Sequence, residues 1–293
     1  MMADIPNAET SPDYKRQARH AGLAAIKPAP GAPHSGSLRQ PGNDPVPDSI
    51  VAVAVASYHG GFPLRILVVT TSTIAFPNTD ASLLLPGPAG ALETIVEHPD
   101  ANTPARAGTA VICHPHPLHE GTMHNKVVTM VGRSLREHGL TTVRFNFRGV
   151  GESEGEYDDA RGETLDLLAV AEWVVKQRPE DELWLAGFSF GSYIALLGAR
   201  HLPVKQMISL APPVGNWDFS AAIAPSCPWL VIQGEDDEVV DPQAVYGWIE
   251  AMEEKPTLVR MPETSHFFHR RMMDLRGAVK NGVRANLPAL REA

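Results

Sequence analysis

Short runs rich in Val, Ile and Leu alternate with segments of helical periodicity along the chain from about residue 83. Strands are predicted at 91–97, 108–113, 141–147, 182–187, 204–210, 228–233 and 256–261. Helices are predicted at 125–138, 161–177, 191–200, 243–253 and 267–285. Strands and helices that alternate in this way form right-handed βαβ units. The predicted fold class is therefore α/β: one domain without repeats, with a mostly parallel central sheet and helices on both faces.

The part of the chain before residue 83 does not share this pattern. Residues 1–48 contain eight prolines among Ala, Gly, Ser and scattered charges. Such a composition does not bury enough apolar surface to offset the entropy lost on ordering, so a disordered tail is predicted there. Residues 50–57 and 64–70 have strand-like composition, and their relation to the sheet stays open. We divide the chain into this tail, an extension with possible extra strands (49–82) and an α/β domain (83–293).

Composition narrows the expected partners and compartment. The chain has 34 acidic residues against 25 Lys and Arg, a formal net charge of −9, which argues against nucleic acid or an anionic membrane as a partner. Its N-terminus lacks a secretory apolar segment and is too acidic for a transit peptide, and no run of about 18 apolar residues occurs. Cys113 and Cys227 lie in or beside apolar strands and are predicted to be buried thiols. A cytoplasmic location is expected.

The segment 183–197 passes from a predicted strand directly into a predicted helix through Gly187-Phe-Ser-Phe-Gly191. Gly-x-Ser-x-Gly between a strand and a helix is typical of a nucleophilic serine on a sharp turn. Gly187 and Gly191 are needed because a Cβ at either place would strike the neighbouring strand or helix. The five-residue pattern also occurs by chance, but its setting favours Ser189 as a nucleophile exposed at the sheet edge.

An acidic loop follows the predicted strand at 228–233. In a parallel sheet, functional side chains gather at the carboxyl ends of the strands, so this loop is where an acid would be supplied. Asp237 is preferred because its spacing from the preceding glycine and the following valine matches the acid loop of serine hydrolases of this architecture. Asp236 and Asp241 are the alternatives, and Asp241 precedes a proline, which is typical of a helix cap.

Two histidines, His266 and His269, follow the predicted strand at 256–261. A histidine just past the last strand can fold back over the sheet towards Ser189, so His266 is preferred and His269, one helical turn later, is the alternative. The chain order Ser, Asp, His is that of the α/β-hydrolases. His266 would accept the Ser189 proton, and Asp237 would hold the imidazole tautomer. An acyl-enzyme would form, and water would then hydrolyse it.

The loop after the strand at 108–113 begins His114-Pro-His-Pro-Leu. A loop in this place is expected to supply one oxyanion-hole donor, beside the backbone N–H of Phe190. Proline has no N–H, so the donor is the amide of His116 or of Leu118. The prolines would also stiffen the loop, so that the amide is presented with little reorganisation.

Four histidines in this loop, His114, His116, His119 and His124, also suggest a metal site. Their spacing is not that of a helical H-E-x-x-H motif, and no cysteine or carboxylate cluster is in register with them. No metal and no cofactor are therefore expected. The histidines are predicted to hydrogen-bond the loop, with His119 and Met123 lining the substrate pocket.

Two further loops bear on the site. Residues 144–155 place glycines after a strand, but their spacing misses G-x-G-x-x-G and nearby acids would repel a pyrophosphate, so dinucleotide binding is rejected. A tight structural loop is predicted instead, with Arg148 paired to a local acid. The connection that carries Trp217 and Phe219 is too short for a long lid. The site is expected to be open, with these two side chains as walls or core residues and Phe267 also lining the pocket.

Several pieces of the domain are shared with one family. They are Leu85-Pro-Gly-Pro-Ala-Gly, His114-Pro-His-Pro-Leu, Gly121-Thr-Met-x-Asn-Lys-Val-Val, Arg144-Phe-Asn-Phe-Arg-Gly-Val-Gly, Gly187-Phe-Ser-Phe-Gly and Ser265-His-Phe-Phe. On these pieces, residues from about 83 to 285 resemble small, lidless α/β-hydrolases. The resemblance implies the α/β-hydrolase fold and a triad of Ser189, Asp237 and His266. It implies little about the substrate, because such proteins are mostly predicted hydrolases.

The predicted function is hydrolysis of a small carboxylic ester or thioester by a serine hydrolase. A serine peptidase of the same fold is the nearest alternative. A hydrolase-like binding module without catalysis is the alternative from another class, and the presence of Ser189, Asp237 and His266 in the right order argues against it. The expected partner is a small-molecule acyl substrate, and the oligomeric state stays open.

Overall fold

One sheet runs through the domain in the computed structural model, which describes residues 74–219 and 224–292. Its strands within these residues are β1 (Ala81–Gly87), β2 (Gly90–Glu97), β3 (Gly108–Cys113), β4 (Thr141–Phe145), β5 (Glu182–Phe188), β6 (Val204–Leu210), β7 (Trp229–Gly234) and β8 (Thr257–Met261). Their order across the sheet is β1-β2-β4-β3-β5-β6-β7-β8. β1 pairs antiparallel with β2, and β2 with β4, whereas the other neighbours are parallel. The prediction of a mostly parallel sheet is confirmed.

Helices cover the sheet on both sides, as predicted. They are α1 (Lys126–Arg136), α2 (Arg161–Gln177), α3 (Phe190–Ala199), α4 (Pro242–Glu250) and α5 (Met272–Gly282). Alternate side chains of β3 enter two separate cores: Val111 packs with residues of α2, α3 and α4, and Ile112 packs with residues of α1 and α5. Because both faces of β3 and β5 are covered, these strands are apolar at nearly every position. Ser189 follows the central strand β5, at the carboxyl edge of the sheet.

The sheet starts slightly before residue 83, with β1 in an antiparallel hairpin with β2. The preceding residues also pack against the domain. Phe76 stacks on Trp173 of α2 with ring centroids 4.9 Å apart, and the Trp173 indole N–H donates to the Ile74 carbonyl at 2.7 Å. The apolar contacts of the domain therefore reach back to Ile74. The predicted tail and the possible strands before residue 71 lie outside the described residues.

The last helix is shorter than predicted. The sequence pattern predicts a helix over 267–285, but α5 begins only at Met272. Phe268 and Arg270 adopt left-handed backbone conformations, with φ of 53° and 61°. Such residues do not continue a right-handed helix, so the prediction was wrong for the first part of this range. The segment is instead an irregular turn that carries His266.

Both cysteines are free thiols, Cys113 buried and Cys227 half-buried. Burial raises the pKa of each thiol, so both stay protonated at neutral pH. None of the helices in the described part of the chain is long and apolar enough to cross a membrane.

Candidate active site

Ser189 occupies the turn between β5 and α3 with φ 51° and ψ −123°, a backbone conformation that residues other than glycine rarely adopt. Its neighbours hold it there. The Ser189 N–H donates to the Leu210 carbonyl at 2.8 Å, and the Ser189 carbonyl accepts the Ser192 hydroxyl at 2.7 Å. A Cβ on Gly187 would lie 2.5 Å from the Ser192 nitrogen, and one on Gly191 would strike the loop after β3. The turn therefore requires both glycines.

The structure brings Ser189, His266 and Asp237 together from three different loops. His266 Nε2 lies 3.1 Å from Ser189 Oγ. His266 Nδ1 lies 2.9 Å and 3.1 Å from the two carboxylate oxygens of Asp237. Because a carboxylate only accepts, the ring proton is assigned to Nδ1, which leaves Nε2 unprotonated and facing the Ser189 hydroxyl. His266 is 2% exposed, so this contact is shielded from bulk water.

Asp237 is held rigidly as an anion. One carboxylate oxygen accepts the backbone N–H groups of Val239 (2.9 Å) and Val240 (2.7 Å), and the other accepts the Gln233 amide (2.9 Å). Burial alone would raise the pKa of Asp237, but hydrogen bonds from His266 and from these backbone N–H groups outweigh it and lower that pKa. The carboxylate is therefore ionised beside the imidazole at neutral pH.

The alternative acid and base residues lie elsewhere. Asp236 is exposed, and Asp241 caps α4 by accepting the Gln243 N–H at 2.9 Å. His269 is exposed at the surface, with its ring 5.9 Å from that of Phe267. Among the described residues, none of the three hydrogen-bonds to Ser189. The geometry therefore favours Asp237 and His266 over each of them.

Two backbone N–H groups are candidates for binding an oxyanion. Phe190 is the first residue of α3, so its N–H has no acceptor within the helix. The Leu118 N–H donates to His116 Nδ1 at 3.2 Å and is thus engaged inside the loop. The His116 N–H takes part in no hydrogen bond found within the described residues. Of the two predicted donors in this loop, His116 is therefore the better candidate.

His114 attaches the start of this loop to the neighbouring strand connection. Its Nε2 accepts the Phe147 N–H at 3.0 Å, so the ring proton is assigned to Nδ1, which donates to the Pro115 carbonyl at 2.6 Å. The ring is fully buried, and this burial lowers its pKa from 6.5 to about 3. His114 is therefore neutral at physiological pH and serves as a structural link.

The remaining loop residues differ in their surroundings. His119 and His124 are exposed, and the described residues contain no group of His, Cys, Asp and Glu side chains that could hold a metal ion. Met123 is fully buried, its N–H bound to the Asn146 side chain at 2.8 Å and its carbonyl to Arg144 at 2.5 Å. These bonds draw Met123 into the core. It does not line an accessible pocket, contrary to the prediction.

Comparison with known proteins agrees with this fold. The family model for the alpha/beta hydrolase fold matches residues 111–225. A lidless α/β serine hydrolase from Xanthomonas campestris is 56% identical, with a TM-score of 0.73 over 74% of this chain and 100% of that one. The chain belongs to the α/β-hydrolase family. An α/β serine hydrolase homologue from Coxiella burnetii is 44% identical (TM-score 0.68; 71% and 99% covered), and an uncharacterized Rickettsia prowazekii protein is 32% identical (67% and 85% covered).

The connection between β6 and β7 leaves the site of this α/β-hydrolase open. None of its described residues, 211–219 and 224–228, belongs to an α-helix, so they form no long lid. Trp217 is half-buried, with its ring 5.1 Å from Phe190 and 6.0 Å from His116. Phe219 is only 7% exposed and packs between Tyr193 and Trp248. Trp217 is thus placed as a wall beside the proposed oxyanion donors, whereas Phe219 is a core residue.

A groove of about 310 Å³ opens beside the turn that follows His266. Its lining includes Phe267, which is 39% exposed and packs its ring 5.0 Å from that of His266. The rest of the lining comes from residues at and just before the start of α1, including His124 and Lys126, and from His269 and Met272 near the start of α5. A second depression of about 180 Å³ lies at the amino ends of β7 and β8, at the opposite edge of the sheet from Ser189. A third depression, of about 350 Å³, lies around the end of α1 and Asp100. Of the three, only the first is lined by a residue whose ring packs on a triad residue, so it is the candidate substrate subsite.

The sequence pattern predicts a pairing for Arg148 but does not identify the partner. Arg148 forms two side-chain hydrogen bonds with Asp166 of α2, at 2.8 Å and 3.0 Å, and Asp166 is fully buried. Gln233 and Tyr157 were also not predicted: Gln233 binds Asp237, and the Tyr157 hydroxyl lies 3.2 Å from His116 Nε2. No short motif marks these residues, because each contact joins separate loops.

Proposed function

We propose that this protein is a serine hydrolase that cleaves a small carboxylic ester or thioester through an acyl-enzyme on Ser189. The observation that carries the proposal is the hydrogen-bonded series of Ser189, His266 and Asp237, with distances of 3.1 Å and 2.9 Å. The hydroxyl faces an unprotonated ring nitrogen, and the opposite ring nitrogen faces a buried anion. This arrangement makes the hydroxyl a nucleophile at neutral pH.

In the first half-reaction, Ser189 Oγ attacks the substrate carbonyl carbon while His266 Nε2 takes the hydroxyl proton. Asp237 stabilises the imidazolium that forms. The carbonyl oxygen becomes an oxyanion, which the N–H groups of Phe190 and His116 would bind. His266 then gives its proton to the departing alkoxide or thiolate, and the acyl group stays on Ser189 as an ester.

In the second half-reaction, water attacks the acyl carbon and His266 accepts a proton from it. Ser189 leaves with that proton, and the carboxylic acid is released. An alcohol or thiol needs only the single proton of His266 to leave, so no further acid is required. The open site supports a small substrate that enters without lid movement. The two free thiols support a cytoplasmic site of action.

A fluorophosphonate probe tests this proposal, because it reacts preferentially with a serine hydroxyl that a neighbouring base activates. Wild-type protein should be labelled at Ser189, and Ser189→Ala should abolish labelling and lower ester hydrolysis by at least about 10³-fold. Ser82→Ala is the matched control, since Ser82 is exposed in β1, and it should be labelled normally. Absence of labelling in wild type, or labelling that survives Ser189→Ala, would refute the proposal.

A substrate panel then tests the bond that is cleaved. Short-chain 4-nitrophenyl esters and acyl thioesters should be hydrolysed, and the corresponding anilides and short peptides should not. Cleavage of peptides in preference to both ester classes would identify a peptidase and contradict the ester and thioester assignment.

A further inference from the structure

The geometry points to Tyr157 as a positioning residue for the proposed hydrolysis: through the side chain of His116, it holds the loop that carries one oxyanion donor. Tyr157 lies outside the triad and the loop itself, 41 residues from His116 in sequence. The kinetic part of this inference rests on the proposed function. The structural part concerns the protonation of one imidazole and is independent of turnover.

His116 organises the tight turn Pro115–Gly121. Its Nδ1 accepts the Leu118 N–H at 3.2 Å, and its carbonyl accepts the N–H groups of His119 (3.0 Å) and Gly121 (3.1 Å). The residue thus binds three N–H groups of its own turn. The backbone N–H of His116 itself donates to no acceptor among the described residues. The orientation of that N–H therefore depends on the placement of the His116 ring and carbonyl.

Tyr157 stabilises the tautomer of the His116 ring that the turn requires. Nδ1 accepts an N–H, so the proton must be on Nε2, which lies 3.2 Å from the Tyr157 oxygen. The Tyr157 hydroxyl is in turn oriented towards Asp159 Oδ1 at 3.5 Å. Without the phenolic oxygen, the proton on Nε2 loses its acceptor, and the tautomer with a proton on Nδ1 becomes more populated. That proton would face the Leu118 N–H, donor against donor, and the turn would open.

The surrounding charges agree with a neutral ring. The titratable groups that act on His116 are His114 and His119 of the same loop and Asp159 beside Tyr157. Burial, followed by the proximity of His119, lowers the pKa of His116, and Asp159 opposes this only in part. Burial, then the carboxylates of Asp159 and Glu163, raise the pKa of Tyr157 to about 12. The phenol therefore keeps its proton and can accept from His116 while it donates to Asp159.

The His116 ring also connects the two proposed oxyanion donors. Its centroid lies 4.8 Å from that of Phe190, whose N–H is the other donor, and 5.0 Å from that of Tyr157. Because the turn backbone is bound to the His116 ring and carbonyl, a shift of this residue would change the distance between its N–H and that of Phe190. Oxyanion binding depends on that distance, because both N–H groups must reach one oxygen atom.

The segment that presents Tyr157 is held in an unfavourable conformation. Asp159 and Ala160, directly before α2, both have left-handed backbones, with φ of 49° and 69°. The Asp158 N–H donates to Glu163 at 2.8 Å, which anchors the segment to α2. Two successive left-handed residues other than glycine are sustained only where the surrounding structure enforces them. Here they turn the chain so that Tyr157 reaches His116.

The test compares Tyr157→Phe with wild type in ester hydrolysis. The variant keeps the aromatic ring and loses only the hydrogen-bonding oxygen, so kcat should fall about fivefold, the effect of one lost hydrogen bond, with KM unchanged. Tyr246→Phe is the matched control: the Tyr246 hydroxyl is buried in α4 without a partner among the described residues, so its removal should leave kcat unchanged.

A second mutation separates positioning from packing. In His116→Asn, the amide oxygen can accept the Leu118 N–H and has no tautomers, so it does not need Tyr157. Tyr157→Phe added to His116→Asn should therefore cause no further loss of kcat. If Tyr157→Phe lowers only the melting temperature, or lowers kcat equally in both backgrounds, the tyrosine merely packs the loops and the inference is wrong.

Nitrogen NMR of the His116 ring in Ser189→Ala distinguishes this inference from the proposed function. The ring should carry its proton on Nε2, and Tyr157→Phe should shift the proton towards Nδ1. If this tautomer shift is seen but the wild-type protein has no esterase activity, the loop geometry is supported and only the hydrolase proposal is refuted. An unchanged tautomer together with an unchanged kcat would overturn the role of Tyr157.

Discussion

Replacement of Gly191 by alanine should destabilise the turn that carries Ser189 and separate the proposed oxyanion donors. A Cβ at this position would lie 2.5 Å from the His114 carbonyl oxygen and closer still to that of Cys113. Both atoms belong to backbone at the end of β3, which is buried and paired with β4 and β5. The clash therefore cannot be relieved by the movement of a flexible side chain. The loop after β3 must therefore shift away from the start of α3.

The size of the effect follows from this distance. Relief of the clash requires a backbone displacement of about 1 Å, and overpacking of this kind costs about 1–3 kcal/mol or more. Gly191 lies in the first turn of α3, where alanine is favoured over glycine by up to about 1 kcal/mol. We expect a net loss of about 2 kcal/mol in the free energy of unfolding. A 1 Å displacement between reacting groups can lower the rate by about 100-fold, so kcat should fall by a similar factor.

Equilibrium unfolding in urea measures the stability change, and ester hydrolysis measures kcat. Gly277→Ala is the matched control, because Gly277 lies within α5 and a Cβ there would meet nothing within 4 Å. It should raise the free energy of unfolding by about 0.5–1 kcal/mol through helix propensity and leave kcat unchanged. If Gly191→Ala keeps wild-type stability and kcat, the loop after β3 is not rigid, and the steric argument for this turn fails.

Three other substitutions test the fold around the site. Burial lowers the pKa of His114 from 6.5 to about 3, so its contribution to stability is complete above pH 6.5 and is lost as the pH falls towards 3, by up to about 5 kcal/mol. In urea unfolding at several pH values, His114→Gln should therefore lose less stability than wild type between pH 6.5 and pH 3. An equal loss in both proteins would show that other groups cause the acid dependence. Arg148→Met should lower the free energy of unfolding by about 3–5 kcal/mol, because it leaves buried Asp166 without its ionic partner. The double variant with Asp166→Leu should recover much of that loss in the same assay. An equal loss in the single and double variants would argue against an ionic cause. Trp173→Phe should lower the free energy of unfolding by about 1 kcal/mol, because it removes the indole hydrogen bond to the Ile74 carbonyl. An unchanged free energy of unfolding would show that this hydrogen bond does not stabilise the domain.

Local pattern was sufficient for most elements and insufficient for their ends. β3, α2 and β6 have the predicted bounds, because each is a long run of one periodicity. β1 was not predicted as a strand: it contains Pro86 and ends at Gly87, and it is a strand because it pairs along its length with β2. The predicted start of α5 was wrong because Phe268 and Arg270 adopt left-handed backbone conformations, which their residue types do not predict.

The sequence by itself determined where Ser189, Asp237 and His266 would meet. Each follows its own parallel strand, and the carboxyl ends of parallel strands share one edge of the sheet, so local motifs were enough to place all three. Their catalytic roles stay predictions. The tertiary structure alone decided how the site is supported: Gln233 on Asp237, His114 on Phe147, Tyr157 on His116, and Met123 in the core. The physical reason is that these contacts join chain segments that differ in sequence and meet only through the packing of loops, so no periodicity or spacing encodes them.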